Sequence, residues 1–315
     1  MAKTKDIVFV YGALRSGTTV FRLMLDHHPM IANPGELDFL FDFLWPDPSH
    51  PTQWRYDIDK MRLDWIFQAY GLIVPADKDG LDLLENFLYQ IDARYGSKPV
   101  MTINIHRNVD KVRAIFPEVK LIHMLRDPRD VARSSIGMGW SCNIYYGVDH
   151  WIKTEAAWDK AGIAPDDPNT LQLTYENLFR DIDSQLHRVC DFLDVPWDEE
   201  MLSYHKNSTY DPPDPKLIEQ WRHKCSAEDI ALLEGKARAL LVARGYVPAG
   251  EGHVPGSAEK LTLFLRQRMF QWRGGIEKLG AGLFFGEKLT RHLKLHRQHR
   301  ALVHQINLIK QKSVR

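Results

Sequence analysis

The sequence predicts an α/β fold, three layers with a central parallel sheet between helices, followed by a helical C-terminal extension. Three observations carry this. Short β-branched and aromatic runs alternate with helix-spaced stretches over the first two thirds of the chain, the pattern of a parallel sheet covered on both faces. The first of those runs ends in a glycine loop that opens a helix. From residue 258 onward the apolar residues keep helical spacing among lysines and arginines.

The elements follow in order. Residues 7–11, Ile-Val-Phe-Val-Tyr, form a first buried strand that ends at Gly12. A helix over 18–26 comes next, with Val20, Phe21, Leu23, Met24 and Leu25 as its apolar residues and Pro29 as its stop. Further strands are expected at 99–106, 120–125 and 170–173, and further helices at 109–116, 130–136 and 184–193. The stretches 47–51 and 210–215 are proline-rich loops, and 248–255, with Gly250, Gly252 and Pro255, reads as a linker. It divides the chain into a domain of residues 1–249 and a basic helical extension of residues 250–315. In that extension Leu261, Leu265, Met269 and Trp272 share one face, and Leu302, Ile306 and Ile309 another, which predicts two or more amphipathic helices. Such faces suit packing on the body, on a second copy of the chain in a homo-oligomer, or on a membrane surface.

Composition narrows the function. With 315 residues, 44% of them hydrophobic and 11% aromatic, the chain has the apolar surface to fold without a partner. Its 41 lysines and arginines balance 41 acids, so no global charge draws it to nucleic acid. The distribution is uneven: from residue 250 there are 13 basic residues against 4 acidic ones, leaving 28 against 37 in the body. Three widely spaced cysteines, Cys142, Cys190 and Cys225, suit neither a disulfide framework nor a zinc knuckle, and no metal is expected. The start, Met1 to Asp6, lacks the apolar stretch and cleavage site of a secretory leader. No segment reaches the ~18 consecutive apolar residues of a transmembrane span, so a cytoplasmic protein is expected.

The chemistry concentrates in Gly12-Ala-Leu-Arg-Ser-Gly-Thr-Thr19, between the first strand and the first helix. Successive backbone N–H groups and the positive end of a helix dipole make an anion site there. The spacing is that of a P-loop except that Thr18 stands where the phosphate-binding lysine would be. That lysine neutralises the β- and γ-phosphates of a triphosphate, so its absence argues against ATP and GTP. Arg15 supplies a cation instead, with a planar fork able to span the bridging and terminal oxygens of a 5′-phosphosulfate. The run Lys120-Leu-Ile-His-Met-Leu-Arg-Asp-Pro-Arg-Asp-Val-Ala-Arg-Ser134 suits either a second ligand site or a helix start with ion pairs. Arg126 ends a strand at its carboxyl edge, where α/β sheets bind ligands, and Ser134 sits on the following helix.

Arg15-Ser-Gly-Thr-Thr19 matches the form [KR]-S-G-T-[TS] and thereby resembles the sulfotransferases that use 3′-phosphoadenosine 5′-phosphosulfate (PAPS). The arginine in first place and the flanking Leu25-Asp-His-His-Pro29 resemble the bacterial and tyrosylprotein branch. Arg126 with Ser134 resembles the family's 3′-phosphate motif. Leu171 to Leu178 with Cys190 to Pro196, then Trp221-Arg222 and Arg244-Gly-Tyr246, extend the likeness over about residues 7–247. The resemblance implies a P-loop-like fold and a cofactor site of Arg15, Ser16, Gly17, Thr18, Thr19, Arg126 and Ser134, with Tyr175 near the adenine. It implies transfer of a sulfuryl group to a hydroxyl on a carbohydrate, lipid, small metabolite or peptide tyrosine, leaving 3′-phosphoadenosine 5′-phosphate (PAP). The competing readings are a P-loop-like kinase and a noncatalytic nucleotide-binding protein.

Transfer needs a base for the hydroxyl proton and cations on the reacting oxygens. Arg15 is the charge stabiliser. Two residues compete as base: Glu36 in Pro34-Gly-Glu36, which resembles the catalytic Gly-Glu of the tyrosylprotein branch and ranks first, and His106, which ends the second strand where cytosolic members carry the histidine of Lys-Thr-His. Asn104 occupies that motif's lysine position, Lys98 lies upstream of it, and Val20 replaces the tryptophan that packs adenine in cytosolic members. Lys206, Ser208 and Lys216 fall where the family closes a loop over the nucleotide. The acceptor region, about residues 38–95, interleaves Phe39, Phe41, Trp45, Trp54 and Tyr56 with aspartates. Those rings suit either a platform for a sugar or apolar alcohol, or the core of a helical lid.

Overall fold

The structure is a computed structural model that describes residues 6–95, 98–212 and 214–312. Residues 1–5, on which the absence of a leader was argued, and Pro213 of the expected 210–215 loop lie outside the described residues. Among the described residues there are seven strands: β1 (Asp6–Gly12), β2 (Ile31–Ala32), β3 (Leu44–Pro46), β4 (Trp54–Tyr56), β5 (Val100–Ile105), β6 (Lys120–Leu125) and β7 (Thr170–Thr174). Five form one sheet in the order β2-β5-β1-β6-β7, with every pairing parallel.

Contacts divide the chain into two compact units, residues 1–38 with 95–267, and residues 39–94 with 268–315. This division does not follow the composition boundary at 249/250. The helix Ser257–Leu279 has no break at residue 267, so the basic tail is divided between the units rather than set apart.

In the first unit Val8, Phe9, Val10 and Tyr11 of β1 are all essentially buried. A strand covered on both faces has no polar side, which is why its sequence does not alternate. Val8 and Val10 pack in one cluster with Phe21 and Met24 of the helix Thr18–His27 and with Leu186 and Val189 of the helix Ile182–Leu193. The alternate residues face elsewhere: the Phe9 ring lies 6.0 Å from Phe116 and Tyr11 stacks on Trp158 at 5.5 Å. Three layers result, as the sequence predicts. The helices Val109–Ile115 and Pro128–Gly137 take their expected places, the second opened by Asp127, whose carboxylate accepts from the Arg129 N–H, and by Pro128 in the first turn. β2 was not expected, because two residues are too few to show a period.

The second unit pairs β3 with β4 in an antiparallel hairpin, so the expected loop at 47–51 is its turn. Helices Trp65–Tyr70 and Gly80–Tyr95 accompany it, with Ala281–His292 and His296–Lys312 from the tail. Phe39, Tyr56, Phe67 and Phe87 are buried and meet in edge-to-face contacts with centroids 5.8 Å apart, worth about 0.5–1.5 kcal/mol per pair beyond their buried area. Of the two uses open to the aromatic region, these rings form a core, while Trp45 stays 55% exposed. Among the described residues no helix is long and apolar enough to cross a membrane.

Candidate active site

The sheet order dictates what meets at its carboxyl edge. In the β1–β5 register Tyr11 pairs with Ile105, so Gly12 and His106 leave the sheet side by side. The His106 Nδ1–H donates to the Gly12 carbonyl at 2.7 Å. On the other flank Leu125 pairs with Thr174, so Arg126 and Tyr175 are the next residues of adjacent strands. The Arg126 guanidinium lies over the Tyr175 ring at 3.9 Å, within cation–π range.

Between these pairs the loop after β1 turns into the helix Thr18–His27. Arg15 adopts φ +71° and Gly17, the residue before the helix, φ +87°. A Cβ on Gly17 would also fall 2.3 Å from the Tyr175 ring. Gly17→Ala therefore combines a left-handed alanine with overpacking and is expected to lower the unfolding free energy by about 2–4 kcal/mol, read from urea denaturation. Thr18, where a P-loop has lysine, opens the helix and is buried.

Arg15 and Ser134, assigned to different anion sites from sequence, meet directly, the arginine Nε–H donating to Ser134 Oγ at 2.9 Å. Arg126 donates to the carbonyls of Arg15 at 3.1 Å and of Leu217 at 3.2 Å. Three buried polar atoms of the loop and the cleft residues have no hydrogen-bond partner, Ser16 Oγ, Arg126 Nε and Arg133 Nε. Orphaned buried donors are costly, roughly 1–3 kcal/mol each, and Arg126 and Arg133 belong to the cleft that Arg15, Gly17, Thr19 and Tyr175 also line. The cleft has a volume of about 300 Å³, at the lower end of small-molecule sites. Arg133 and Tyr210 also line it; Lys206, Ser208 and Lys216 are not among the lining residues. The residues that carry the likeness elsewhere are tied to one another outside the cleft lining: Glu176 accepts from Tyr246 and from the Asp127 N–H, and Arg129 stacks on Trp221 at 3.7 Å and pairs with Asp127 and Glu234.

The two candidate bases form a pair. Glu36 bridges Asn104 in parallel pairing alongside β5, two residues before His106, and its Oε1 lies 3.4 Å from His106 Nε2. At that separation the contact is electrostatic, since Nε2 makes no hydrogen bond. Contact with His106 holds the Glu36 carboxyl below its usual range against the opposing effect of burial. Burial disfavours the His106 cation, but Glu36, Asp38 and the Gly12 carbonyl outweigh it and raise the imidazole above its usual value. The carboxylate side chain is 46% exposed and the imidazole 4%.

Asn33 holds Glu36 in place and carried no sequence signal. Its backbone N–H donates to Asp26, its side-chain oxygen accepts from the Gly35 N–H, and its amide donates to Thr102 and Asn104. Asn104 in turn donates to the Thr18 carbonyl at 3.1 Å, so the residue at the lysine position is a buried brace. Lys98 caps the carbonyls of Asp26, His28 and Ile31. Among the described residues no group of three or more histidines, cysteines or acids could hold a metal.

The sequence profile of the Sulfotransferase family matches residues 7–199. The chain is 24% identical over 216 residues to Protein-tyrosine sulfotransferase A of Caenorhabditis elegans, covering 65% of this chain and 54% of that protein. It is 26% identical over 216 residues to Protein-tyrosine sulfotransferase 1 of Danio rerio, covering 65% and 57%. The chain thus spans little more than half the length of these two relatives. The fold is similar to the sulfotransferase domain of the curacin biosynthetic pathway, with a TM-score of 0.56 at 17% identity over 78% of this chain and 99% of that one. It is also similar to the sulfotransferase domain of the Synechococcus PCC 7002 olefin synthase, with a TM-score of 0.53 at 23% identity over 74% and 94%.

Proposed function

Because the chain belongs to the sulfotransferase family, we propose that it transfers a sulfuryl group from PAPS to a hydroxyl acceptor. The observation that carries this is the pairing of a lysine-free anion loop with Arg126, whose Nε is buried and unpartnered beside the cleft. Ser16 to Thr19 and the helix N-terminus hold the 5′-phosphosulfate, Arg126 and Ser134 hold the 3′-phosphate, and the aromatic Tyr175–Phe179 stack, with centroids 4.3 Å apart, supports the nucleoside side.

When bound, PAPS supplies a sulfuryl group on an anhydride oxygen. Glu36 takes the hydroxyl proton as the acceptor oxygen bonds to sulfur. Its half-exposed carboxylate can meet a substrate, whereas His106 is buried, spends Nδ1 on Gly12 and turns Nε2 to Glu36. His106 is thus the positioning partner of the base. Arg15 and the loop N–H groups take up the charge that develops as the sulfur–oxygen bond to the 5′-phosphate breaks, the kind of preorganised stabilisation that contributes most in such sites. A small-molecule, glycan or peptide-tyrosine acceptor fits this chemistry equally. Three cysteines without a disulfide favour a reducing compartment such as the cytoplasm.

Calorimetry tests the donor. PAP is expected to bind in preference to ATP with magnesium, and preference for ATP would overturn the reading in favour of a kinase. Arg126→Gln is expected to weaken PAP by about tenfold to a hundredfold while leaving adenosine 5′-phosphosulfate, which lacks the 3′-phosphate, within twofold. An equal loss for both nucleotides would remove Arg126 from the 3′-phosphate. Binding of PAP without turnover in any acceptor screen would instead support a noncatalytic nucleotide-binding protein.

A further inference from the structure

We propose that Trp140 is an aromatic wall of the acceptor site and that Gln267, on the C-terminal helix Ser257–Leu279, is the residue that positions it, so that the acceptor taken is an aromatic hydroxyl compound. The proposal rests on the sulfotransferase reading and adds the acceptor class to it.

The helix Pro128–Gly137, which carries Ser134, ends in a defined way. Gly139 adopts φ +70°, its N–H donates to the Ile136 carbonyl at 2.9 Å, and the Trp140 N–H reaches back to the Ser135 carbonyl at 3.0 Å. These two bonds with a left-handed glycine are a Schellman C-cap. The cap folds the chain back toward the helix, so Trp140 returns toward the turn that presents Ser134 to Arg15. Its ring centre lies 5.9 Å from the Arg15 guanidinium carbon and 6.1 Å from the His150 ring, edge to face. His150 is itself fixed to the anion loop, its Nε2–H donating to the Leu14 carbonyl at 3.0 Å. The indole nonetheless remains 42% exposed, so a large apolar face stands open next to the cation that stabilises the reacting sulfate. An open ring beside a guanidinium suits a flat aromatic group stacked on it.

What holds the segment is remote in sequence. Gln267 is a polar side chain only 6% exposed. Its Oε1 accepts from the Cys142 N–H at 2.9 Å and from Ser141 Oγ at 3.1 Å, and its Nε2 points at the Trp140 carbonyl at 3.4 Å. One buried amide thus satisfies three consecutive residues of the segment. Buried polar groups are kept when they fix a geometry, and the geometry fixed here is that of the residues around Trp140. The basic tail, read from sequence as a packing or membrane element, begins as part of the acceptor site.

The test uses the full chain loaded with PAP and titrated calorimetrically with 4-nitrophenol and, separately, cyclohexanol. Wild type is expected to bind 4-nitrophenol and to bind cyclohexanol at least fivefold more weakly. Trp140→Ala and Gln267→Met, the second matching the amide in shape, are each expected to weaken 4-nitrophenol by about tenfold, the scale of one stacking contact. PAP affinity should stay within twofold in both. Unchanged 4-nitrophenol binding in either variant overturns the proposal, as does equal binding of the two alcohols or a wild type that takes PAP but not 4-nitrophenol. A parallel loss of PAP and 4-nitrophenol in Gln267→Met makes that residue a general support and overturns its positioning role. Failure of wild type to bind PAP would instead bring down the donor assignment.

Discussion

Glu36→Gln is expected to lower kcat for sulfuryl transfer from labelled PAPS by about 10²–10⁴-fold, the range for loss of a positioned general base, with PAP affinity unchanged. Glutamine keeps the size of the side chain and its place opposite Asn104, so the loss reports the missing carboxylate. The pH profile then separates Glu36 from His106. A base works only when deprotonated, so activity falls as pH drops through its pKa. Contact with His106 lowers the Glu36 value, and kcat/KM should stay flat on the acid side down to about pH 5, below which ordinary carboxylates begin to protonate. His106 is raised, so if it were the base the profile would already be falling above about pH 6.5, the usual imidazole value. An acid limb in that upper range would transfer the role to His106. His106→Gln, on the present assignment, costs less than Glu36→Gln because the carboxylate remains.

Arg15→Asn should lower kcat by about 10²–10³-fold, as removal of one transition-state donor does elsewhere. Asparagine is chosen because the Arg15 backbone sits at φ +71°, a conformation that asparagine adopts more readily than most side chains. Alanine at this position would mix backbone strain with loss of the guanidinium. Arg15→Lys should recover part of the rate, since it restores the charge without the fork. PAP affinity is the control: a variant that loses PAP binding and kcat in proportion would make Arg15 a ground-state contact with the nucleotide. A loss confined to kcat places it on the charge that develops during transfer.

The fold was legible where the chain repeats a period for long enough. β1, β5, β6 and β7 and the helices between them stand out because a strand buried on both faces must be apolar throughout, and each helix must carry one apolar stripe. The hairpin β3–β4 and the two residues of β2 escaped because elements that short have no period, and the division into units escaped because it depends on contacts distant in sequence. Arg15, Gly17, Arg126 and Ser134 could be proposed from sequence for a local reason. Anion binding at the end of a strand uses the next few residues, the turn and the helix start, so the motif is contiguous.

The sequence by itself therefore determined four of the five strands of the main sheet, the strand–glycine turn–helix that carries Arg15, and the family, all of which are encoded within stretches of about 20 residues or fewer. It presented Glu36 and His106 as rivals, 70 positions apart and with no local feature to relate them. Tertiary structure alone decided that they are one pair, because parallel pairing of the segment after β2 with β5 sets Glu36 opposite Asn104 and His106 directly follows the same β5 beside Gly12. It also decided that Asn104 and Lys98 are braces and that Gln267 reaches Cys142. A hydrogen bond across such separations leaves no periodic trace in either segment, so only the folded chain shows which residues meet.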